Sequence, residues 1–377
     1  MILNSLVNHY EMLHESGNAP DFGWANVDAN MGILLDEEGQ VLNLIPLVDT
    51  VQMGKKQVER SYTLTVPVPV VRTSGVSANF LCDNPAYILG IDLKGTKEKA
   101  LEKFSAAKTL HLDLLSQATG SVAKALRGFF ESWDAQNAGN HPLVLREGKT
   151  IEQGRNMVFM VDENQYAADD QEIQQIWNAF FLSQQVVEER LCLVSGKKEP
   201  IARLHDKIKN VPGAQTAGAN LISINADAFV SYNLTDTMPG APIGEYSAFA
   251  YVTALNRLLG NRDHRMDLGD TRLVYWTNQA DDKASQIVTI GLMAPTDVDD
   301  DQILKEVFER IEKGMPVEGV LPEEPFYVLG LRPNAARISV ALFLVSNFGD
   351  VIKNISRHYD RLEIVRPSFD QREYLSP

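Results

Sequence analysis

The chain has 377 residues, 44% of them hydrophobic, and a formal charge of -15, enough apolar material for more than one core. No run of about 18 apolar residues is present to span a bilayer, and the start Met1-Ile-Leu-Asn-Ser-Leu-Val-Asn-His-Tyr10 lacks the basic residues of a secretory signal, so a cytoplasmic protein with no membrane association is expected. Cys82 and Cys192 alone cannot build a disulfide framework or an intrachain four-cysteine zinc site. The acidic balance also argues against indiscriminate coating of nucleic acid, where Lys and Arg supply most of the affinity.

Leu3, Leu6, Val7, Tyr10 and Leu13 recur at helical spacing and predict an amphipathic helix over residues 1–15, ended near Gly17 and Pro20. Residues 32–35 and 41–45 read as a hairpin around Asp36-Glu-Glu-Gly-Gln40. Residues 62–66 form a further strand that Pro67 and Pro69 end or confine to an edge. Residues 87–91 are expected to be the next strand. From Thr96 to Trp133 the spacing turns helical, and a strand at 157–161 and a helix over 173–187 follow. Beyond Glu189, strands are expected at 191–194, 221–224, 273–276, 287–292, 326–331 and 340–345, with clear helices over 245–259 and 300–313. Asp297, Asp299, Asp300 and Asp301 suit the start of the second of these helices, where negative charge complements the dipole.

This order describes an α+β fold with mixed or antiparallel sheets and helical insertions, without a Rossmann or P-loop core. Three regions are expected: a strand-rich part over 1–95, a mostly helical insertion over 96–189 and an α+β part over 190–377.

The densest polar stretch is Arg72-Thr-Ser-Gly-Val-Ser-Ala-Asn-Phe-Leu-Cys-Asp-Asn84. Thr73, Ser74, Asn79 and Asn84 donate and accept hydrogen bonds, Arg72 offers a planar cationic fork, and Gly75 permits close backbone approach. These properties suit a recognition loop, though a connection capped by its own Asn and Ser side chains has the same composition. Three basic windows stand out against the acidic total. Residues 54–72 hold Lys55, Lys56, Arg60 and Arg72 against Glu59; residues 197–209 hold Lys197, Lys198, Arg203, Lys207 and Lys209 against Glu199 and Asp206; residues 353–366 hold Lys353, Arg357, Arg361 and Arg366 against Asp360 and Glu363. Charge acts within a Debye length of about 8 Å, so such windows can meet phosphates while acidic surfaces point elsewhere.

Gly213-Ala-Gln-Thr-Ala-Gly-Ala-Asn220 beside the second window places Gln215, Thr216 and Asn220 where bases or sugars could be bonded, unless the stretch is simply a glycine turn. Arg337 is a phosphate clamp or a strand-start ion pair. Neither a Walker loop, a full dinucleotide glycine pattern nor a His-Glu-x-x-His helix occurs. Cys192-Leu-Val-Ser-Gly196 has the shape of one zinc knuckle with Ser195 in place of the second cysteine, so no metal and no cofactor are expected.

Taken in order, Met1-Ile-Leu3, Ser74-Gly-Val-Ser-Ala-Asn-Phe-Leu-Cys-Asp-Asn84, Tyr87-Ile-Leu-Gly90, Cys192–Gly196, Pro200-Ile-Ala-Arg-Leu-His205, Gly213–Gly218, Asn225-Ala-Asp-Ala-Phe229 and Leu331-Arg-Pro-Asn-Ala-Ala-Arg-Ile-Ser-Val340 resemble the large subunit of the subtype I-C CRISPR Cascade complex over essentially the whole chain. The resemblance implies a non-catalytic subunit of a crRNA-guided surveillance complex in the cytoplasm. Such a subunit reads the protospacer-adjacent motif of target double-stranded DNA, helps open the duplex beside the crRNA 5′ handle and recruits the helicase-nuclease. Its partners would include the backbone and handle-binding subunits. It also implies a C-terminal helical region that this chain lacks, whose work would fall to a separate small subunit. Carried onto this sequence, DNA contacts are expected from Arg72, Thr73, Ser74, Gly75, Asn79 and Asn84, then Lys55, Lys56, Gln215 and Asn220. Phosphate contacts are expected from Lys197, Lys198, Arg203, Lys207, Lys209 and Arg337. Ser77 stands where many relatives are expected to have Lys. Two other readings remain: a metal-independent endoribonuclease acting on crRNA precursor through His205 with Lys207 or Lys209, and a purely structural scaffold.

Overall fold

A computed structural model describes the chain apart from residues 54–55, 71, 73–74, 93–94, 185–188, 224–240, 280–282, 294–297, 316, 318 and 362–377. The fold is α+β and divides into two compact units, Pro20–Gln185 and Met1–Ala19 with Val186–Pro377. The opening helix α1 (Ile2–Glu15) therefore belongs with the C-terminal part of the chain.

In the unit Pro20–Gln185, β1 (Trp24–Leu35) and β2 (Val41–Pro46) form the expected antiparallel hairpin. Asp36 closes its turn by accepting the Glu38 and Gln40 amides at 3.0 and 2.7 Å. Gly39 sits there at φ 84°, and a Cβ on it would come within 2.2 Å of the Phe129 nitrogen, so only glycine lets the turn lie against the backbone at Phe129. Strands β3 (Val48–Met53) and β4 (Lys56–Pro67) pair antiparallel, and the second half of β4 pairs with β1 from Ala29↔Tyr62 to Trp24↔Pro67. The ladder ends at Pro67, as the missing amide requires. A short β5 (Cys82–Asp83), β6 (Asn156–Asp162) and β7 (Gln165–Tyr166) complete a sheet of order β3-β4-β1-β6-β5, in which β6 runs parallel to β1.

The helices of this unit are α2 (Pro85–Ile88), α3 (Lys97–Leu114), α4 (Ser121–Ser132), α5 (Pro142–Arg146), α6 (Gly148–Ile151) and α7 (Gln171–Ser183). The two-residue period of β6 sorts the interior. Met157 and Phe159 join Ile33, Phe104, Leu126, Phe129, Phe130 and Trp177 in the main core, whereas Val158 and Met160 join Ala29, Val66 and Cys82 in a smaller one.

The other unit carries a short hairpin of β8 (Glu189–Leu191) and β9 (Lys198–Pro200), then α8 (Glu245–Gly260). Its antiparallel sheet runs β10 (Arg265–Leu268), β11 (Thr271–Thr277), β12 (Pro325–Asn334) and β13 (Arg337–Asn347), with α9 (Lys283–Met293), α10 (Val298–Glu312) and α11 (Phe348–Arg361). Val274 and Trp276 of β11 share a core with Leu6, Tyr10, Tyr251 and Leu255 of α1 and α8. Tyr275, between them in sequence, turns the other way to join Val288, Val307, Phe348 and Ile352 of α9, α10 and α11.

Two expected strands are helices. Residues 87–91 fall in and just after α2, because Asn84 accepts the Ala86 amide at 3.1 Å and Pro85 occupies the first helical position, a start signal that outweighs a short apolar run. Residues 287–292 lie within α9, where Ile287, Val288 and Gly291 form its buried side; a six-residue apolar run does not distinguish the two states by itself. The strand expected at 221–224 is a bend over Leu221 and Ile222, and Ile224 lies outside the described residues. Asp297 also lies outside them, and Asp299–Asp301 fall in the first turn of α10. No described helix is long and apolar enough to cross a membrane.

Candidate nucleic-acid interface

The chain leaves β4 at Pro67 and must return to pair β5 with β6, and a single buried carboxylate organises the connection. Asp83, 1% exposed, accepts the Asn79 amide at 2.9 Å and the Asn84 amide at 2.8 Å. It also receives a two-pronged contact from Arg72, one prong at 3.0 Å to Oδ1 and the second to Oδ2. The guanidinium lies 4.0 Å from the centre of the Tyr87 ring, and its Nε donates to the Ser77 carbonyl at 2.6 Å. The Ser77 amide in turn points at the Tyr87 hydroxyl at 3.4 Å. Arg72 therefore clamps its own loop closed, with three of its five N–H groups engaged by the loop itself.

The other predicted loop residues divide by burial. Asn79 is buried and its Oδ1 accepts the Val70 amide at 3.0 Å, and Asn84 is the N-cap of α2. Both serve the loop's own backbone. Gly75, at φ 78° with open space around it, and Val76 and Ser77 are exposed. They form the described part of the tip, and Thr73 and Ser74 lie outside the described residues. Lys55 and the side chain of Lys56 lie outside them as well. Arg60 is exposed opposite Asp49 in the β3–β4 register.

Beneath the loop, Leu81 is held at φ 62°, a left-handed conformation that a bulky side chain rarely adopts. His111 of α3 is its support: Nδ1 lies 2.8 Å from the Ala107 carbonyl and Nε2 lies 3.0 Å from the Leu81 nitrogen. Only the neutral ring with its proton on Nδ1 satisfies both contacts. Burial holds the imidazole neutral by lowering its pKa to about 4, and the ring stacks 4.2 Å from Phe130. Burial likewise pushes the Cys82 thiol up to about 12, with Asp83 adding to the effect. Sequence reasoning missed Asp83, Tyr87 and His111, and the Asn84-Pro85 pair was the one signal that could have exposed the local helix start.

In the other unit, Lys197, Lys198, Arg203, Lys207 and Lys209 are all exposed along one segment. Asn256 fixes the backbone there, donating to the Lys207 carbonyl at 3.0 Å and accepting the Lys209 amide at 2.8 Å. His205 Nδ1 lies 2.8 Å from the Tyr251 hydroxyl, and burial lowers the His205 pKa to about 4. Asn220 donates to the His205 carbonyl at 2.8 Å and bridges β13, its amide reaching Ala336 and its carbonyl accepting Ile338. Gln215 is exposed in a turn closed by Gly218 at 2.8 Å, where φ 90° and a Cβ position 2.8 Å from the Ile208 carbonyl require glycine. Arg337 is half-buried with Nε and Nη2 sealed from solvent.

The strand expected at 191–194 stops at Leu191, and Cys192 instead organises a hydrogen-bonded turn. Its buried sulfur accepts the amides of Val194, Ser195 and Gly244 at 3.3, 3.4 and 3.2 Å, and Ser195 donates to Glu199 at 2.6 Å. Among the described residues no group of three or more His, Cys, Asp or Glu is placed to hold a metal ion. The arrangement can present cations and a tip of small residues on rigid supports, which is the chemistry of phosphate and base-edge contact.

No curated protein matches the chain. A family model described as CRISPR-associated protein (Cas_Csd1) matches residues 6–377.

Proposed function

Because the chain belongs to the Cas_Csd1 family of CRISPR-associated proteins, we propose that it is the non-catalytic large subunit of a cytoplasmic, crRNA-guided DNA surveillance complex. In this reading it recognises the protospacer-adjacent motif in target duplex DNA and helps to open the duplex beside the crRNA 5′ handle. It sits among backbone, handle-binding and small subunits and recruits the helicase-nuclease. Guide pairing reads the long target, which leaves the protein only a short duplex element to recognise, the division of labour described for another CRISPR effector class.

The observation that carries the proposal is the exposed tip Gly75-Val76-Ser77 on the Arg72–Asp83–Tyr87 clamp. A groove reader needs a narrow element with small side chains, backbone donors and a preorganised cation, and the clamp supplies rigidity at little entropic cost on binding. Arg72 has two N–H groups that the clamp does not use, which suit a phosphate, and Lys197, Lys198, Arg203, Lys207 and Lys209 provide further sequence-independent contacts. Asn79 and Asn84 act in this reading by shaping the loop, and Gln215 and Asn220 by shaping the turn beside the lysines.

The test is target binding by the assembled complex carrying Val76→Ala with Ser77→Ala, measured on duplexes that differ only in the motif. Discrimination between the two duplexes should fall about tenfold or more, the value of one good base contact, while binding to non-target duplex stays level. Undiminished discrimination would remove the tip from the reading role.

A further inference from the structure

Helix α11 is packed by one side only. Phe348, Ile352, Ile355 and Tyr359 are buried, and the Tyr359 hydroxyl donates to the Gly291 carbonyl of α9 at 2.6 Å. The opposite side carries Lys353, Arg357 and Arg361, all exposed. They are four residues apart, so they form one stripe with about 6 Å between successive cations along the axis. No ion pair joins any of the three to a carboxylate among the described residues. The neighbouring α10 treats its cations differently, pairing Arg310 with Glu306 at 2.9 Å, and Lys313 just past its end pairs with Glu309 at 3.1 Å. Of the acids on α11, Asp350 is engaged by Asn347 at the helix start, 2.9 Å from its amide nitrogen, and Asp360 is exposed near the end.

Like charges at this spacing repel one another and weaken a helix. The helix dipole offsets that for Arg361 in the last turn, but its effect fades within one turn and does not reach Lys353. Among the described residues the row is left without a carboxylate partner, in a chain with 50 carboxylates and 35 Lys and Arg. A regular anion array would relieve the repulsion, and successive phosphates of one strand have a separation comparable with that of the row.

We infer that the Lys353–Arg357–Arg361 stripe is a track for the sugar-phosphate backbone of a single nucleic-acid strand. The buried side of α11 holds the track rigid, and the contacts are to phosphate, so the track is indifferent to sequence. It concerns a different element and a different substrate form from the duplex-reading tip, and the two stand or fall separately.

The experiment is fluorescence anisotropy of the full chain with a labelled single-stranded DNA and the same sequence as RNA, titrated between about 25 and 200 mM salt. For Lys353→Gln with Arg357→Gln and Arg361→Gln, affinity at low salt should fall tenfold or more. The slope of log K against log salt should shrink by about 2, the value for three phosphates on a single strand. Loss in one arm names the strand, and loss in both means that either serves. Arg357→Lys, which keeps the charge, should retain the slope. Far-UV circular dichroism should match the parent and the melting midpoint should be no lower, since all three side chains face solvent and removing like charges relieves their repulsion. Equal slopes for parent and variant in both arms, or no strand binding by the parent at low salt, overturn the inference. Lys197→Gln with Lys198→Gln should leave this slope reduction on α11 variants intact, which separates the track from the lysine segment.

Discussion

His111 Nε2 accepts the Leu81 amide at 3.0 Å, so a helix side chain thirty residues away in sequence fixes the strained backbone just before the clamp carboxylate Asp83. The contact works only while the ring is neutral. Its folded pKa of about 4 lies below the ordinary 6.5, so the unfolded chain binds the proton more tightly. The stabilisation is therefore complete above about pH 6.5 and declines as pH falls toward 4, by up to about 3 kcal/mol in total. Denaturant unfolding at pH 7, 6, 5 and 4 should show a steeper loss for the parent than for His111→Gln, by up to about one proton. Parallel pH profiles would rule out this role for His111.

The Arg72–Asp83 pair predicts strong coupling. Arg72→Ala leaves a carboxylate that is 1% exposed without its cation, and should destabilise by about 2–4 kcal/mol. Asp83→Asn with Arg72→Ala should be less damaging than the sum of the two single changes by at least about 1 kcal/mol. A double-mutant cycle by chemical denaturation reads this directly, and simple additivity would contradict the clamp.

Two glycines at similar positive φ should respond differently to alanine. Gly75 at φ 78° has open space around its Cβ position, whereas Gly39 at φ 84° would drive a Cβ to 2.2 Å from the Phe129 nitrogen. Gly75→Ala should cost about 1 kcal/mol from backbone strain alone. Gly39→Ala should cost several times as much, because α4 must move. Melting midpoints of the two variants give the comparison.

Removing the cap at Asn84 is a smaller perturbation. Asn84→Ala should lower stability by about 1 kcal/mol, and Asn84→Asp, which keeps an acceptor for the Ala86 amide, should recover most of it. If Asn84→Ala instead left stability untouched and abolished duplex binding by the assembled complex, Asn84 would be a direct contact rather than a loop-shaping residue.

The isolated chain should bind duplex DNA weakly and with a steep salt dependence, because its charge is -15 overall while its cations are gathered in short segments. Lys197→Gln with Lys198→Gln and Arg203→Gln should reduce the salt slope on duplex by about 3. Tight, salt-insensitive binding by the free chain would contradict the electrostatic picture.

Much of the architecture was legible along the chain because it rests on local periodicity. The α1 pattern, the hairpin around Asp36–Gln40, the strand ended by Pro67, the helices between Thr96 and Trp133 and the α8 and α10 helices all follow from spacing and from Gly and Pro positions. The two strands that proved to be helices, at 87–91 and 287–292, are short apolar runs whose period is ambiguous. At the first, Asn84-Pro85 held the deciding signal.

The sequence alone determined an α+β chain, located its polar loop and its cationic segments, and carried the motifs of a CRISPR-associated family. Which members of the loop face solvent was settled only by tertiary structure. Arg72 meets Asp83 from 11 residues away and His111 reaches Leu81 from 30, and no local pattern encodes either meeting. The physical reason is that a polar side chain is equally suited to a ligand or to the protein's own backbone, and burial, a property of the packed chain, decides between them.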